Sequence, residues 1–317
     1  MAKIFKYTFK HSIGSLVFII SAGIMLAAGL YEAFVYFSDY YYEEFELSQV
    51  LGERIPEFMT VLFAVLPCLL TGREMANGTV RNKIVSGISK PAFFMAHLLV
   101  NCIITVMLVF IYFLPKFIFC SRFFKHFELR FLLLAIMCMC LGYILITAVG
   151  TVVSVMSDKM AVSIVVSLGL LFAVYMGYNL IERRLREPTV EIEASASTDE
   201  EKMSEGIDSY ASTNEEEWTE VYKEVHNPLY IESKALRRTL WTVQRLMPME
   251  IIVDGHMIFE GHVASMKVYK DTSEIPKAYT SVRERHDSLF YLPIYSFGCT
   301  AAVSILGLLL FRRRNLK

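Results

Sequence analysis

The chain lacks the short motifs that identify most nucleotide-binding and hydrolytic enzymes. It contains no G-x-x-x-x-G-K-[ST] phosphate loop, no G-x-G-x-x-G dinucleotide fingerprint, no H-E-x-x-H zinc motif and no G-x-S-x-G nucleophile elbow. Because a phosphate cradle is missing, the chain itself is expected neither to bind nor to hydrolyse ATP. We therefore assign it no catalytic residue and no cofactor of its own.

Charge is also scarce. Charged residues make up 20% of the 317 positions, whereas hydrophobic residues make up 55% and the mean hydropathy is +0.44. A soluble domain of this length usually carries more charge and fewer apolar residues. The composition therefore indicates an integral membrane protein. The net charge of −1 says little about partners, because the charges are segregated along the chain, and we expect no nucleic-acid partner.

The cysteines form no recognisable metal or redox motif. None lies in the polar stretch 182–288 and no CxxC pair occurs, so neither a disulfide framework nor a zinc site is predicted. His256 and His262 share a local Gly-His pattern but lack a third ligand at zinc spacing. The six cysteines all lie in or beside apolar runs: Cys68, Cys102, Cys120, Cys138, Cys140 and Cys299.

Long apolar runs are what the sequence does contain. A helix that crosses the hydrocarbon needs roughly 20 apolar residues, and the runs that qualify are 13–36, 92–114, 131–156, 160–181 and 289–311. A further run, 58–72, is short, and we interpret it as the inner part of a helix whose polar outer end starts near Leu47. Pro67 would kink that helix, which a packed membrane helix tolerates.

The lysines and arginines of the short loops set the expected orientation, because cytoplasmic loops carry an excess of both. With six spans most of them fall on one side, so we expect both termini to be cytoplasmic in a bacterial plasma membrane. The basic loop 116–130 and the cluster Arg183, Arg184 and Arg186 are exceptions. The agreeing residues are Lys3, Lys6, Lys10, Arg73, Arg81, Lys83, Lys90, Lys159, Arg312, Arg313, Arg314 and Lys317.

The polar stretch 182–288 falls outside the cell in this arrangement. Acidic residues outnumber basic ones, and its first part, 187–224, is poor in apolar residues, which is typical of a solvated loop. Its second part predicts an amphipathic helix that ends at Pro248 and lies on the outer membrane surface or over the outer mouth of the bundle. The apolar residues at helical spacing are Leu229, Leu236, Leu240, Val243 and Met247.

The first residues predict another amphipathic helix, since apolar side chains recur every four residues and lysines follow a neighbouring stripe. We expect it to lie along the inner interface, with its apolar side in lipid and its lysines toward anionic head groups. The alternative is an ordinary basic flank that orients the first span. The two stripes consist of Phe5, Phe9 and Ile13, and of Lys3, Lys6 and Lys10.

The expected fold is thus an all-α integral membrane protein with six transmembrane helices, an N-terminal amphipathic interfacial helix and a large external segment between spans five and six. In residues, the amphipathic helix is 1–12, the first five spans lie within 13–181 with a cytoplasmic loop at 73–90, the external segment is 182–288, and the last span with its basic tail is 289–317.

Ionisable groups inside spans are functional candidates by default, and here they are few. Glu32 lies toward the outer end of the first span, His97 near the inner end of the third, and Asn101 one turn deeper. We take these three as candidates for a cargo pathway. Their scarcity argues against autonomous ion coupling and favours an apolar or amphipathic cargo that is driven by something outside this chain.

Residues 73–90, REMANGTVRNKIVSGISK, resemble the cytoplasmic loop of ABC-transporter permeases of the type-2 exporter class. In that family an acidic residue, a Gly-Thr pair, a basic residue and a Gly-x-Ser-(Arg/Lys) end recur after the second span. Here these are Glu74, Gly78–Thr79, Arg81 and Gly87–Lys90. The order of spans and the external segment before the last span are also similar to the family.

The resemblance implies that two permease subunits pair, as a homodimer, and that separate ATPase subunits bind their cytoplasmic face and supply the ATP and Mg. It also implies that the loop helix and the N-terminal helix fit into clefts of the ATPase. The alternative is a loop whose basic residues only set topology. The residues expected to couple to the ATPase are Glu74, Gly78, Thr79, Arg81, Asn82, Lys83, Gly87 and Lys90.

The favoured function is therefore export of a hydrophobic or amphipathic cargo, such as an antimicrobial or cytolytic peptide. The alternative is a membrane sensor or accessory protein whose external segment binds a ligand, without an ATPase partner. An intramembrane enzyme is disfavoured, because paired acidic, His or Ser/Lys residues at membrane depth are missing.

Overall fold

The structure, a computed structural model, describes residues 2–39, 57–123, 129–186, 190–195, 221–226, 231, 233–249, 252 and 291–314. Most of these residues are helical. In chain order the elements are α1 (Ala2–Ile13), α2 (Leu16–Asp39), α3 (Glu57–Ala76), α4 (Thr79–Val85), α5 (Lys90–Phe123), α6 (Leu129–Met156), α7 (Met160–Arg186), β1 (Val190–Ser195), β2 (Val221–His226), α8 (Lys234–Arg245) and α9 (Tyr291–Arg313).

Six helices of the described ranges, α2, α3, α5, α6, α7 and α9, are long and apolar enough to cross a membrane. The chain is therefore a multi-pass membrane protein, and the predicted number of spans is confirmed. Pro67 lies inside α3, as expected. The predicted polar extension of this helix toward Leu47 falls outside the described residues, as do His256 and His262.

The observed helices differ from the predicted apolar runs mainly at their ends. The third run was expected to stop at residue 114, but α5 continues through Pro115 to Phe123. Apolar run length underestimates α5 because Lys116, which interrupts the run, is buried inside the bundle and not in a loop. With Arg122 in α5 and Arg130 in α6 as well, three of the four basic residues of the loop 116–130, which disagreed with the predicted orientation, are helical.

A serine separates α1 from the first span, where the sequence suggested one continuous apolar run from residue 13. Ser15 Oγ donates to the carbonyl oxygen of Ser12 at 2.6 Å and accepts from the backbone N–H of Phe18 at 3.2 Å. It therefore satisfies a carbonyl at the end of α1 and an N–H at the start of α2, which is the role of an N-cap residue. The predicted N-terminal helix is confirmed as a distinct element.

Helix α1 packs against the bundle. Phe5, Phe9 and Ile13 are partly buried against the main hydrophobic core, while Lys3, Lys6 and Lys10 are exposed. The predicted division into two stripes is confirmed, but the apolar stripe contacts protein side chains where we expected lipid. The reason is that α1 lies alongside α5, a neighbour that sequence periodicity does not reveal.

The core of the bundle forms where α3 meets α6 and where α2 meets α5, and α9 packs on α5 and α6. Phe63 of α3 and Tyr143 of α6 are fully buried, with ring centroids 4.4 Å apart. Small residues allow the closest approaches: Gly150 of α6 faces the backbone of α3 at Ala64, and Gly29 of α2 faces the backbone of α5 at Tyr112. Such contacts are typical of helix packing in membranes, where small residues let backbones come together.

Residues Asn179–Thr242 form a separate compact unit. Within it, β1 and β2 pair as an antiparallel two-stranded sheet, with Val190 opposite His226 and Ser195 opposite Val221. These strands were not predicted, because the flanking sequence is acidic and poor in apolar residues. The predicted amphipathic helix is present as α8, which begins after Ser233, whose Oγ accepts from the N–H of Leu236 at 3.3 Å. It ends at Arg245, before the predicted end at Pro248, and Leu229 falls outside the described residues. Its place on a membrane surface stays a prediction.

Gly29→Ala should destabilise the bundle, because an added Cβ would collide with the carbonyl oxygen of Tyr112, a backbone atom that cannot rotate away. Overpacking of this kind costs roughly 1–3 kcal/mol. Thermal unfolding of the purified chain in detergent, followed by size-exclusion chromatography, would measure the loss. Gly23→Ala in the same helix is the matched control, since nothing lies within 4 Å of its added Cβ. Equal stability of the two variants would contradict the close α2–α5 crossing.

Candidate functional site

An ion pair joins the last turn of α3 to the short helix α4. Lys83 Nζ lies 2.5 Å from Glu74 Oε2 and donates a hydrogen bond to it. Both side chains are partly shielded from solvent. Because Glu74 lies near the end of α3 and Lys83 in α4, the pair holds the short helix back against the end of a membrane span.

Two glycines and a threonine shape the turns on either side of α4. Gly78 has a φ of 68° and Gly87 a φ of 99°, in the left-handed region where a Cβ would be strained. The hydroxyl of Thr79 donates to the carbonyl oxygen of Glu74 at 2.9 Å. That carbonyl is in the last turn of α3, where helix carbonyls lack intrahelical partners. The prediction that the two glycines permit sharp turns is confirmed.

Helices α1 and α5 meet the same ion pair. His97 Nε2 of α5 lies 3.4 Å from Glu74 Oε2, the oxygen that Lys83 also contacts. Lys83 Nζ lies 5.7 Å from the ring centroids of both Tyr7 on α1 and Phe93 on α5, which is within cation–π range. The Phe93 and His97 rings are 4.3 Å apart. We call these five residues the junction, because they bring α1, α3, α4 and α5 together.

Polar side chains continue from His97 into the bundle. His97 Nδ1 lies 3.3 Å from Thr71 Oγ1 of α3. Asn101 Nδ2 donates to Thr71 Oγ1 and to Thr151 Oγ1 of α6, both at 3.0 Å. Thr151 Oγ1 in turn donates to the carbonyl oxygen of Thr147 at 2.8 Å. Hydrogen bonds therefore link three membrane helices at this depth.

The deepest hydrogen bond of this series lies one helical turn further into the bundle, where Thr105 Oγ1 and Thr147 Oγ1 are 2.7 Å apart. All of these side chains are buried, so protein partners replace the water that the membrane interior does not offer. His97, Asn101 and Thr105 are four residues apart and share one face of α5. The set, which we call the polar ladder, consists of Thr71, His97, Asn101, Thr105, Thr147 and Thr151.

A second buried ion pair lies near the other end of α5. Lys116 is 0% exposed, and its Nζ lies 2.5 Å from Glu32 Oε2 of α2 and 4.6 Å from the Tyr112 ring centroid. The Tyr112 hydroxyl donates to the same Glu32 oxygen. At a rise of 1.5 Å per helical residue, His97 and Lys116 are about 28 Å apart along α5. Glu32 is therefore far from His97 and Asn101.

A third polar contact holds the ends of α5, α6 and α9 together. Lys90 Nζ donates to the carbonyl oxygen of Arg314 at 2.6 Å. The Arg314 guanidinium donates to the carbonyl oxygen of Val155 and pairs with the carboxylate of Asp158. An arginine that caps the last carbonyls of a helix satisfies groups that would otherwise be unpaired.

These contacts divide the predicted coupling residues into two groups. Glu74, Lys83 and Lys90 bond to other parts of the chain, and their contact with a partner stays a prediction. Arg81 and Asn82 are exposed on α4, as a partner contact requires. The helix itself spans only Thr79–Val85, shorter than the 73–90 loop that carries it, because Arg73 and Glu74 belong to α3.

The predicted cargo residues do not form one cluster, and their place in a cargo pathway stays a prediction. Asn101 and His97 belong to the polar ladder, whereas Glu32 belongs to the distant ion pair with Lys116. Only 2% of His97 is exposed, because α3 covers that face of α5 at Thr71.

A separate apolar cleft of about 420 Å³ lies between α3 and α7. Its volume is in the range of small-molecule sites, and its lining is apolar apart from a hydroxyl on each of two residues. Among the described residues no group of three or more His, Cys, Asp and Glu side chains could hold a metal. The cleft is lined by Thr60, Val61, Leu168, Leu171, Phe172, Tyr175 and Met249.

Sequence reasoning did not single out several residues that the structure brings to these sites. Thr71 and Thr151 look like ordinary span residues until the three helices are assembled. Lys116 was assigned to a loop. Val85 is 80% exposed on α4, whereas Val80 of the same helix is 2% exposed, so the sequence of α4 did not show which valine faces outward.

Glu32→Leu should destabilise the protein by roughly 3–5 kcal/mol, because a buried ammonium loses its carboxylate partner. The double variant Glu32→Leu with Lys116→Met should recover most of that loss, since an apolar pair in place of a buried ion pair is often neutral. Thermal unfolding in detergent measures both. If the double variant is no more stable than Glu32→Leu alone, the two residues do not act as a pair.

Comparison with known proteins adds no relative to these observations: no family model matches the sequence, and no curated protein matches it. What the protein does must therefore be inferred from its own geometry. That geometry has three parts. They are six membrane helices, the short helix α4 that follows α3 and is held to it by an ion pair, and a polar ladder that runs from this pair into the bundle.

Proposed function

We propose that this chain is the membrane subunit of an ATP-driven exporter, similar to the permeases of the type-2 ABC class, and that ATP is hydrolysed on a separate subunit. The observation that supports it most is α4. This helix stands between two spans, presents Arg81 and Asn82 outward, and is fastened inward through Lys83 and Glu74. The positive-inside bias supports a cytoplasmic position for α4.

The inward contacts suit α4 to transmit movement. A load on α4 passes through Lys83 to Glu74 at the end of α3, and it reaches α5 through the Phe93 ring, which lies within cation–π range of Lys83. Charge-assisted hydrogen bonds are among the stronger polar contacts in proteins, and they are stiff because they need defined geometry. A partner that moves α4 by a few ångströms would therefore move two membrane spans with it.

The outward face of α4 has the chemistry of a docking surface. Arg81 offers a guanidinium, Asn82 an amide, and Val85 an apolar side chain that is 80% exposed. An acidic or polar cleft with a small apolar pocket would complement these three side chains. Tyr7 of α1 lies within cation–π range of Lys83 on α4, so α1 would border the same partner.

The cleft between α3 and α7 supports the proposed cargo class. A cavity of about 420 Å³ with an apolar lining accommodates a hydrophobic group, and its lining has no charged side chain that could pair with a charged group. We propose that the cargo is hydrophobic or amphipathic, with a peptide as the favoured case. Two copies of the chain would pair, and α7, of whose span only 11% is buried, has apolar surface free for that contact or for lipid.

The test is purification of the tagged chain from its native membranes in mild detergent, with measurement of ATP hydrolysis and identification of a co-purifying P-loop protein in stoichiometric amount. Arg81→Glu combined with Val85→Asp should weaken that association at least about thirtyfold, since loss of one charged contact at an interface costs roughly 2–5 kcal/mol. Lys83 and Glu74 remain in place, so the membrane bundle should be unaffected.

Lys159→Glu is the matched control, because Lys159 is an exposed lysine of the turn between α6 and α7, on the same predicted side. It should retain both ATPase and transport of a cytolytic peptide. A chain that purifies without any ATPase and still transports, or an α4 double variant that keeps its full ATPase complement, would contradict the proposal. Ligand binding to residues 182–288 without an ATPase would instead favour a sensor.

A further inference from the structure

One buried nitrogen of the junction has only a loose partner. His97 is 2% exposed, and its Nε2 makes no well-formed hydrogen bond within the described part of the chain. The nearest charged atom is Glu74 Oε2 at 3.4 Å, an ion-pair distance longer than a good hydrogen bond. Buried polar atoms are usually satisfied, so such an exception indicates a functional reason.

The other nitrogen of His97 can accept or donate without any movement of heavy atoms. Thr71 Oγ1 accepts a hydrogen bond from Asn101, which leaves its own hydrogen free to point at His97 Nδ1, 3.3 Å away. In that arrangement the imidazole is neutral, with its proton on Nε2. If a proton binds Nδ1, the Thr71 hydroxyl can turn and accept from it, since a hydroxyl oxygen has two lone pairs.

We propose that His97 is a proton-binding site, and that its protonation loosens the tether between α4 and the membrane bundle. Histidine is the side chain whose charge ordinarily changes between about pH 5 and pH 8. A proton on His97 creates a cation 3.4 Å from the same carboxylate oxygen that holds Lys83. The imidazolium attracts Glu74 toward α5 and repels Lys83, and the ion pair that fixes α4 weakens.

Among the residues that the structure describes, the charged groups around His97 are few enough to assign the effect. Glu74 faces it from α3 and Lys83 from α4, while Tyr7 of α1 lies against Lys83. From α6 the ladder presents Thr151, which is uncharged, through Asn101. Lys90, Arg314 and Asp158 lie at the ends of α5, α9 and α6 and hold one another in a separate cluster. One carboxylate therefore serves Lys83 and, once a proton is bound, His97 as well.

This inference deepens the proposed function, because a loosened α4 would transmit less movement from a partner. Its own content is local and needs no partner: acid should free α4. The two ideas can fail separately, since a proton switch at His97 can be measured on the isolated chain.

The test uses the full chain in lipid nanodiscs, with its native cysteines replaced by alanine and a spin label at Val85→Cys, an exposed position of α4. As the buffer is taken from about pH 8 to about pH 5, the electron paramagnetic resonance spectrum should shift from a broad, ordered line to a narrow, mobile one. His97→Gln should keep the ordered line throughout, since glutamine cannot gain the charge.

His11→Gln is the control, because His11 is an exposed histidine of α1 that stacks on Tyr7 and lies outside the ladder. It should keep the full pH response. Glu74→Gln should give the mobile line at every pH, because Lys83 loses its anchor. In parallel, ¹⁵N spectra of histidine-labelled chain should show, at low pH, an imidazolium signal that is missing in His97→Gln.

No pH response of the label in the parent chain overturns the proposal, as does a response that survives in His97→Gln. If His97→Gln does not fold, the ¹⁵N spectra of the parent decide: an imidazole that stays neutral across the range while seated beside Glu74 overturns it as well.

Discussion

Most of this structure depends on one constraint: a polar group inside a bilayer must find its partner within the protein. The ladder from His97 to Thr105 meets this requirement by linking three helices through side-chain hydrogen bonds. Lys116 meets it through Glu32. Each solution needs partners from different helices, so it fixes not only the polar group but also the relative position of the helices. Hydrogen bonds of this kind contribute modestly to stability, about 0.6 kcal/mol on average in one well-measured membrane protein, so their effect on which helices meet outweighs their energy.

The same constraint explains why the junction is suited to link the outside of the bundle to its interior. Glu74 stands where the span α3 ends, partly shielded from water, and it is shared by a lysine from α4 and a histidine from α5. A change in either side chain is therefore felt by the other helix. The outward face of α4, where Arg81 and Val85 are exposed, faces water. The hydrogen bonds of the polar ladder begin at His97, which also contacts Glu74. The short helix α4 thus lies at the boundary between water and the membrane interior. Its attachment is polar, because apolar contacts would not fix its orientation.

The six membrane helices are not equally committed to the core. Two-thirds of the span of α6, 67%, is buried, against 11% for α7. Glycines mark the tightest contacts, at Gly29 against α5 and Gly150 against α3, whereas α7 borders the apolar cleft at Leu171 and Phe172. A helix with few protein contacts can move at a lower cost in packing energy. This distribution suits a bundle in which α3, α5 and α6 form a rigid centre and α7 a more independent edge.

The sequence alone determined the number of spans, because apolar runs of membrane length need no tertiary information. It also determined the sharp turns around α4, because Gly78 and Gly87 are the residue type that positive φ requires, and the two stripes of α1, because periodicity shows which residues share a face. Only the tertiary structure decided what those faces meet. It turned Glu74, Lys83 and Lys90 inward, joined His97 to Thr71, placed Lys116 beside Glu32 in place of a loop, and left Arg81, Asn82 and Val85 outside. Such pairings connect residues that are far apart in the chain, and a buried lysine and a loop lysine look alike until the neighbouring helix is in place.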